Sequence, residues 1–394
     1  MKDVTDLPIT PDFDHWPVTH PAQFVRPVNG ALEIEWADGQ RSLHHPLLLA
    51  ENDPSPDVLH PLSRETVLTP LDFPEDLAVA GARIDPNGAI RVVWSNGWRD
   101  SLFHPGWLRG NAYFGAPDPT PRPILWDAST LPDPPTFHGP TALEDPAVFC
   151  DWLVALRDYG VARLEGLPDR DGMIDEVMTR VGVIRPSNFG RLFTLAIKND
   201  PDSNAYTALP LQQHMDLATR ECPPGLQFLF CRQNDTSGGE GIYSDASRIG
   251  EDMRVEEPEH FETLTTVPWR FNNRSKTSSY IAEGPILDLD TDGQISAVRY
   301  TTWLRAPVVA SLDIQDKAYR ACRAFAARAN AARYELVVKY RPGDLFAFDN
   351  RRALHGRRGY DAAGGARFIE GAYADRDELY SAIRTHRRRL SQGH

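Results

Sequence analysis

The chain has 394 residues, enough for two domains or one large domain with an extension, and a globular composition of 41% hydrophobic and 25% charged residues. A formal net charge of −13 argues against nucleic acid or an anionic membrane as the main partner. Four scattered cysteines (Cys150, Cys222, Cys231, Cys322) with no close pair exclude a disulfide framework and a zinc knuckle. The N-terminus lacks a signal-peptide pattern, and no apolar run approaches the ~18–20 residues a bilayer requires, so a cytoplasmic protein is expected.

Residues 1–115 contain a weak internal repeat: "ALEIEWADGQRSLHHPLLLAEN" (31–52) echoes "AIRVVWSNGWRDSLFHPGWLRGN" (89–111). Each copy reads as an alternating strand, a Trp, a D-G or N-G turn and a second strand, which predicts a small β-rich domain of two hairpins. Residues 116–144 read as a stiff linker, with nine prolines between Pro117 and Pro146. Trp126 and Phe137 interrupt it and could pack on a domain surface.

The second domain, 145–394, opens with a helix in "DPAVFCDWLVALRDYG": Asp145 as N-cap, Pro146 as first residue, Gly160 as stop. "VARLEG" alternates like a strand, and "RDGMIDEVMTRVG" reads as a second helix. "LQFLFCR", "VVKY", "DLFAFDN" and "ARFIEGAYAD" read as short strands, and "QDKAYRACRAFAARANA" as a helix. "RTHRRRL" reads as a solvated helix C-terminus. Many short strands with turn punctuation and a few helices predict a mixed, mainly β fold. Its centre would be an antiparallel jelly roll, a double-stranded β-helix barrel, with helical insertions.

"LQQHMDL" (211–217) places His214 and Asp216 two positions apart. On a strand both would point to one face and could reach one metal ion. Twelve histidines and 55 acidic residues give about one or two such pairs by chance. The other pair, His260 and Glu262, lies in a charged helical run and reads as solvated. The first pair differs in having suitable partners further along the chain. His355 comes after an alternating strand, and Arg367 opens "RFIEGAYAD", where Arg367, Ile369, Gly371 and Tyr373 share a face. One His-x-Asp, a distal His and a later Arg are the ingredients of a 2-His-1-carboxylate metal site with an oxo-acid clamp. Taken singly each has a plainer reading: a surface or core histidine, or an Arg367 paired with Asp361 or Glu370.

Taken with "PPGLQFLFC", "GGE", "PGDLFAFDNRRALHGRRGY" and "RFIEGAYADRDELYSAIRTHRRRL", residues 145–390 resemble the 2-oxoglutarate-dependent iron(II) dioxygenases of the γ-butyrobetaine and trimethyllysine hydroxylase group, in the taurine-dioxygenase-like superfamily. The N-terminal hairpins resemble that group's accessory domain. The resemblance implies His214, Asp216 and His355 as catalytic iron ligands and Arg367 as the partner of the 2-oxoglutarate distal carboxylate. It implies Fe(II), 2-oxoglutarate and O2 as cofactor and co-substrates, ascorbate as an accessory reductant, a small-molecule substrate and a homodimer. The implied reaction is hydroxylation of an unactivated C–H bond in a betaine-like quaternary-ammonium compound, releasing succinate and CO2. The alternative is the same chemistry on another small amine, amino acid or natural-product intermediate, with desaturation or cyclisation as further outcomes. An aromatic cage for the ammonium group falls on Phe189, Phe193, Tyr206 and Tyr373.

Three positions depart from the family pattern. The loop matching the accessory domain's zinc site, "LLLAENDPSPDVLHPL", has no cysteine and Trp98 stands at the histidine position; His60 and His104 are too few, so no structural zinc is expected. The asparagine expected before Tyr206 is Ser203, with Asn204 following. The segment whose amides help recognise the substrate carboxylate is "RYTTWLR" (299–305), so Thr301, Thr302 and Trp303 take the substrate-binding positions with a changed chemistry.

Overall fold

The structure, a computed structural model, describes residues 7–95, 97–114, 122–195, 208–273, 275, 277–361 and 365–391. By internal contacts the chain divides into two compact units, Met1–Pro121 and Arg122–His394.

The first unit contains two three-stranded antiparallel sheets: Ala22–Val28, Ala31–Trp36 and Arg41–His44; then Val79–Ile84, Ile90–Trp94 and Ser101–Phe103. Alternation sends Leu32, Ile34 and Trp36 from one sheet, and Ile90, Val92 and Trp94 from the other, into a shared core. The repeat extends to polar detail. Trp36 Nε1 donates to Ser42 Oγ and Trp94 Nε1 to Ser101 Oγ, each at 2.9 Å. His45 and His104 each accept a backbone N–H at Nδ1, from Leu47 and Gly106, capping the helices Pro46–Glu51 and Pro105–Gly110. One position breaks the match: His44 is buried where the second copy has Phe103. Trp98 packs on Phe73 and Trp94, with ring centres 5.4 and 6.4 Å apart. The adjoining loop is fastened by Asp53, which accepts from Ser55 N (2.9 Å) and from the Ser101 hydroxyl, and by the Arg99–Asp57 ion pair.

In the second unit the proline-rich stretch is not purely a linker. Arg122–Glu144 belongs to this unit: Trp126 is fully buried, Thr136–His138 pairs in parallel with Val161–Glu165, and Gly139–Glu144 is a short helix. Proline permits this because Thr136–His138 is an edge strand and Pro140 sits in the first helical turn, where no backbone donor is required. Arg352 secures the segment: it pairs with Asp245 (2.7 Å) and donates to Ile124 O (2.6 Å) and Asp158 O (2.8 Å). The helix Pro146–Tyr159 is capped as its residues dictate, with Asp145 accepting from Ala147 N at 2.8 Å and Gly160 at φ 71°.

Two sheets form the centre. A six-stranded sheet runs Thr136–His138, Val161–Glu165, Leu345–Asp349, Leu226–Asn234, Arg367–Ala374, Leu192–Leu195; a four-stranded sheet runs Leu211–His214, Ala353–Arg357, Gly241–Asp245, Leu336–Val338. Both faces of the larger sheet are covered. Phe228, Phe230, Leu345 and Ala347 face the helices Pro146–Tyr159, Met173–Val181 and Arg376–Ser391. Leu229, Cys231, Phe346 and Phe348 face the smaller sheet through Tyr243, Leu336 and Val338. That explains the near-continuous apolar runs in these strands. The expected closed barrel is not formed: among the described residues no ladder joins the two sheets. Within each sheet the described strands pair only with one another, and side chains fill the space between. The helices Ala246–Glu256, Pro258–Thr266 and Leu312–Ala329 build a separate core beside the smaller sheet. No helix among the described residues is long and apolar enough to cross a membrane.

Burial holds the His44 imidazole down to about 4, while unfolding restores an ordinary histidine. The unfolded chain therefore takes up more protons between roughly pH 6.5 and pH 4, and stability falls as pH falls through that window. His44→Phe, copying Phe103, should remove about 2 kcal/mol of that acid sensitivity, read from urea unfolding at pH 7 and pH 4.5.

Candidate active site

His214 ends the strand Leu211–His214 and stands opposite His355 in the antiparallel register with Ala353–Arg357. Their ring centres are 4.3 Å apart. Asp216 does not share the strand, contrary to the strand-face expectation; it lies two residues beyond its end. Its carboxylate arrives by another route. Met215 N donates to Tyr300 O (2.8 Å), and the buried amide of Asn350 holds both sides of the Asp216 backbone. Asn350 Oδ1 accepts from Asp216 N (2.8 Å), and Nδ2 donates to Asp216 O and Pro224 O (both 3.0 Å). Leu217 then turns the chain at φ 56°, a left-handed conformation costly for a branched side chain and tolerated where surroundings fix it.

The result is a compact donor set. Asp216 Oδ1 is 3.3 Å from His214 Nε2 and 3.6 Å from His355 Nε2, and one ligand atom from each residue lies within 4.8 Å of the others. His214 Nδ1 is 2.9 Å from Gln212 O, which makes Nδ1 the donor and frees Nε2 as a ligand. Burial, and then the neighbouring His214, pull the His355 imidazole down to about 3, so it is neutral and available to a metal at physiological pH. For Asp216, burial pushes the carboxyl up, but the two imidazoles and the Tyr373 hydroxyl outweigh it and keep it ionised. His260, by contrast, lies on a helix 3.0 Å from Glu257, away from any metal-like cluster.

Two arginines lie one on each of the two sheets, Arg357 at the end of Ala353–Arg357 and Arg367 at the start of Arg367–Ala374. Arg367 has no carboxylate partner among the described residues; its Nε is buried without a hydrogen bond, and its guanidinium lies 5.4 Å from the Tyr360 ring centre. Glu370, one alternative partner, is engaged by Arg232 at 3.4 Å. Arg357, which sequence reasoning missed, is buried 4.9 Å from the same ring and donates to Leu209 O at 2.9 Å. Burial and then the charge of Arg367 lower its guanidinium to about 10. Two guanidinium groups side by side in a sheltered setting form a cradle for a dianion. The signal was available: Arg357 stands two residues after His355 and so shares its strand face.

Beside the donor set lies a cavity of about 110 Å³, lined by Phe189, Phe193, Tyr373, Thr301 and Trp303 together with His214 and Asp216. Phe193 and Tyr373 have ring centres 4.9 Å apart, and Phe189 stands 6.2 Å from Phe193 at the exposed rim. Gly371, opposite Phe193 in the register, makes this possible, since a Cβ there would lie 2.3 Å from the Phe193 ring. Trp303 packs on His214 with centres 4.6 Å apart. Thr301 Oγ1 is buried without a hydrogen-bond partner among the described residues, whereas Thr302 does not line the cavity. Ser203, Asn204 and Tyr206 lie outside the described residues. An amide pair not singled out from the sequence, Asn272 and Asn273, runs beside this wall: Asn272 N donates to Leu304 O at 2.9 Å.

The family model "Taurine catabolism dioxygenase TauD, TfdA family" matches residues 127–373, and "Gamma-butyrobetaine hydroxylase-like, N-terminal" matches 25–109. A γ-butyrobetaine dioxygenase of Pseudomonas sp. (strain AK-1) is 36% identical over 94% of this chain and 98% of its own length. The Homo sapiens γ-butyrobetaine dioxygenase is 26% identical over 92% of this chain and 96% of its own. A mitochondrial trimethyllysine dioxygenase of Bos taurus is 28% identical over 71% of this chain and 68% of its own.

Removing the Asn350 amide releases the Asp216 and Pro224 backbone from three hydrogen bonds. Asn350→Ala should weaken divalent-metal binding by about 10–100-fold, as measured by Co(II) titration of the folded variant.

Proposed function

This chain belongs to the taurine catabolism dioxygenase TauD, TfdA family, and from that premise we propose that it hydroxylates an unactivated C–H bond of a small quaternary-ammonium compound. It is a dioxygenase dependent on Fe(II) and 2-oxoglutarate. In this reading the two facing sheets are the halves of a double-stranded β-helix, with His214, Asp216 and His355 holding iron and Arg367 anchoring the distal carboxylate of 2-oxoglutarate. Iron with 2-oxoglutarate supplies the oxidising chemistry: dioxygen and 2-oxoglutarate are converted to succinate and CO2, and one oxygen atom enters the substrate C–H bond.

The donor set suits that cofactor. Two imidazoles, that of His355 held neutral, and one ionised carboxylate match an Fe(II) facial triad, and the adjoining Arg357 and Arg367 suit a dicarboxylate. The chain's own share is placement. Phe189, Phe193 and Tyr373, with Tyr206 as the fourth expected wall, present ring faces to a cation worth ~2 kcal/mol or more once desolvated. Size agrees: a dry cavity of about 150 Å³ takes a benzene ring, so one of about 110 Å³ fits a trimethylammonium group. The observation that carries the reading is the aromatic cavity opening directly onto the His214–Asp216–His355 cluster. At the substrate's other end Thr301 and Trp303 line the cavity and the Asn272–Asn273 amide pair runs beside them, Asn272 N donating to Leu304 O; a different small amine is the second reading.

Succinate release should be stimulated at least tenfold more by trimethylammonium compounds than by their neutral tert-butyl isosteres; equal stimulation would sink the cage. Arg367→Leu should raise the KM for 2-oxoglutarate by about 10–100-fold while leaving Co(II) affinity in the absence of 2-oxoglutarate unchanged.

A further inference from the structure

Tyr373 touches both halves of the site. Its ring faces Phe193 across 4.9 Å in the cavity, and its hydroxyl donates to Asp216 Oδ2 at 2.7 Å. The other carboxylate oxygen, Oδ1, is the one facing His214 and His355, at 3.3 and 3.6 Å. We infer that Tyr373 is a positioning residue: its hydroxyl occupies Oδ2 so that Asp216 offers a metal one oxygen only, while its ring forms a wall of the ammonium pocket.

A carboxylate can bind a metal through one oxygen or two. A second oxygen on the metal would fill a position that 2-oxoglutarate or dioxygen needs, and a charge-assisted hydrogen bond to Oδ2 opposes it. Tyr373 is 2% exposed and fixed by its neighbours on both sides: Phe193 packs on its ring, and Arg185 N donates to its carbonyl at 2.8 Å. Gln227, across the ladder, is its register partner and is equally buried. The phenol therefore has little freedom to move without disturbing Asp216. A substrate cation that presses on the ring acts on the geometry of the carboxylate through the same side chain. The metal position and the substrate pocket are thus joined by one covalent unit.

The inference rests on the proposed iron-site reading, and its test separates the two. Co(II) absorbs weakly in the visible when six-coordinate and more strongly at lower coordination number, so its band intensity reports how Asp216 binds. Tyr373→Phe keeps the ring and removes the hydroxyl. It should lower the band intensity of the Co(II) protein at least twofold. It should also raise the 2-oxoglutarate consumed per product formed, and hold the KM for a trimethylammonium substrate within about twofold. Phe193→Leu should do the reverse, raising that KM with the Co(II) spectrum unchanged. An unaltered spectrum in Tyr373→Phe, or an altered one in Phe193→Leu, overturns the inference. If the unmodified protein binds no Co(II), the triad reading itself has failed.

Discussion

Asp216 is held beyond the end of its strand by a side chain 134 positions away, and the site depends on that grip. A strand alone could pair His214 with His355 through register, but it could not bring in a carboxylate two residues past its last ladder bond. The Asn350 amide does so by satisfying both the N–H and the C=O of Asp216, which would otherwise be unmatched polar groups beside a buried cavity. Asn350 directly follows the strand Leu345–Asp349 and leads towards Ala353–Arg357, the strand carrying His355. Both protein sides of the triad are therefore set by one short stretch of chain.

From this fixed point the site divides by charge. On one side, Arg357 and Arg367 lie against the Tyr360 ring, a surface that favours anions. On the other, aromatic faces and the Asp216 carboxylate favour a cation. That division of charge suits the dianionic co-substrate and cationic substrate of the proposed function. Gly371 matters to this arrangement because the missing side chain is the space the Phe193 ring occupies.

The first unit follows a simpler rule. Its two copies share a Trp–Ser hydrogen bond and a histidine-capped, proline-initiated helix, so the repeat is one of packing and capping. Where the family resemblance places metal ligands, Trp98 packs on Phe73 and Trp94, and Asp53 fastens the loop through the Ser55 backbone N–H and the Ser101 hydroxyl.

Much of this was written locally. The helix Pro146–Tyr159 announces its cap, first residue and stop within its own sequence, because those interactions span only a few residues. The order His214, Asp216, His355, Arg367 and the aromatic positions were legible as chemistry, since residue type alone limits what can bind a metal, an oxo acid or an ammonium group. What the sequence could not decide was contact at long range. The proline-rich stretch looked like a linker because proline forbids interior ladders and helices, but an edge strand and a first helical turn tolerate it. Asp216 looked like a strand partner of His214 because the spacing is two. Asn350, Arg357, the Gly371–Phe193 fit and the Tyr373–Asp216 hydrogen bond join residues far apart in the chain or lie on faces that only packing defines. Composition and spacing determined which groups are present; the pairing of distant strands decided which of them meet, because hydrogen bonds and ring contacts act over a few ångströms of space, whatever the distance along the chain.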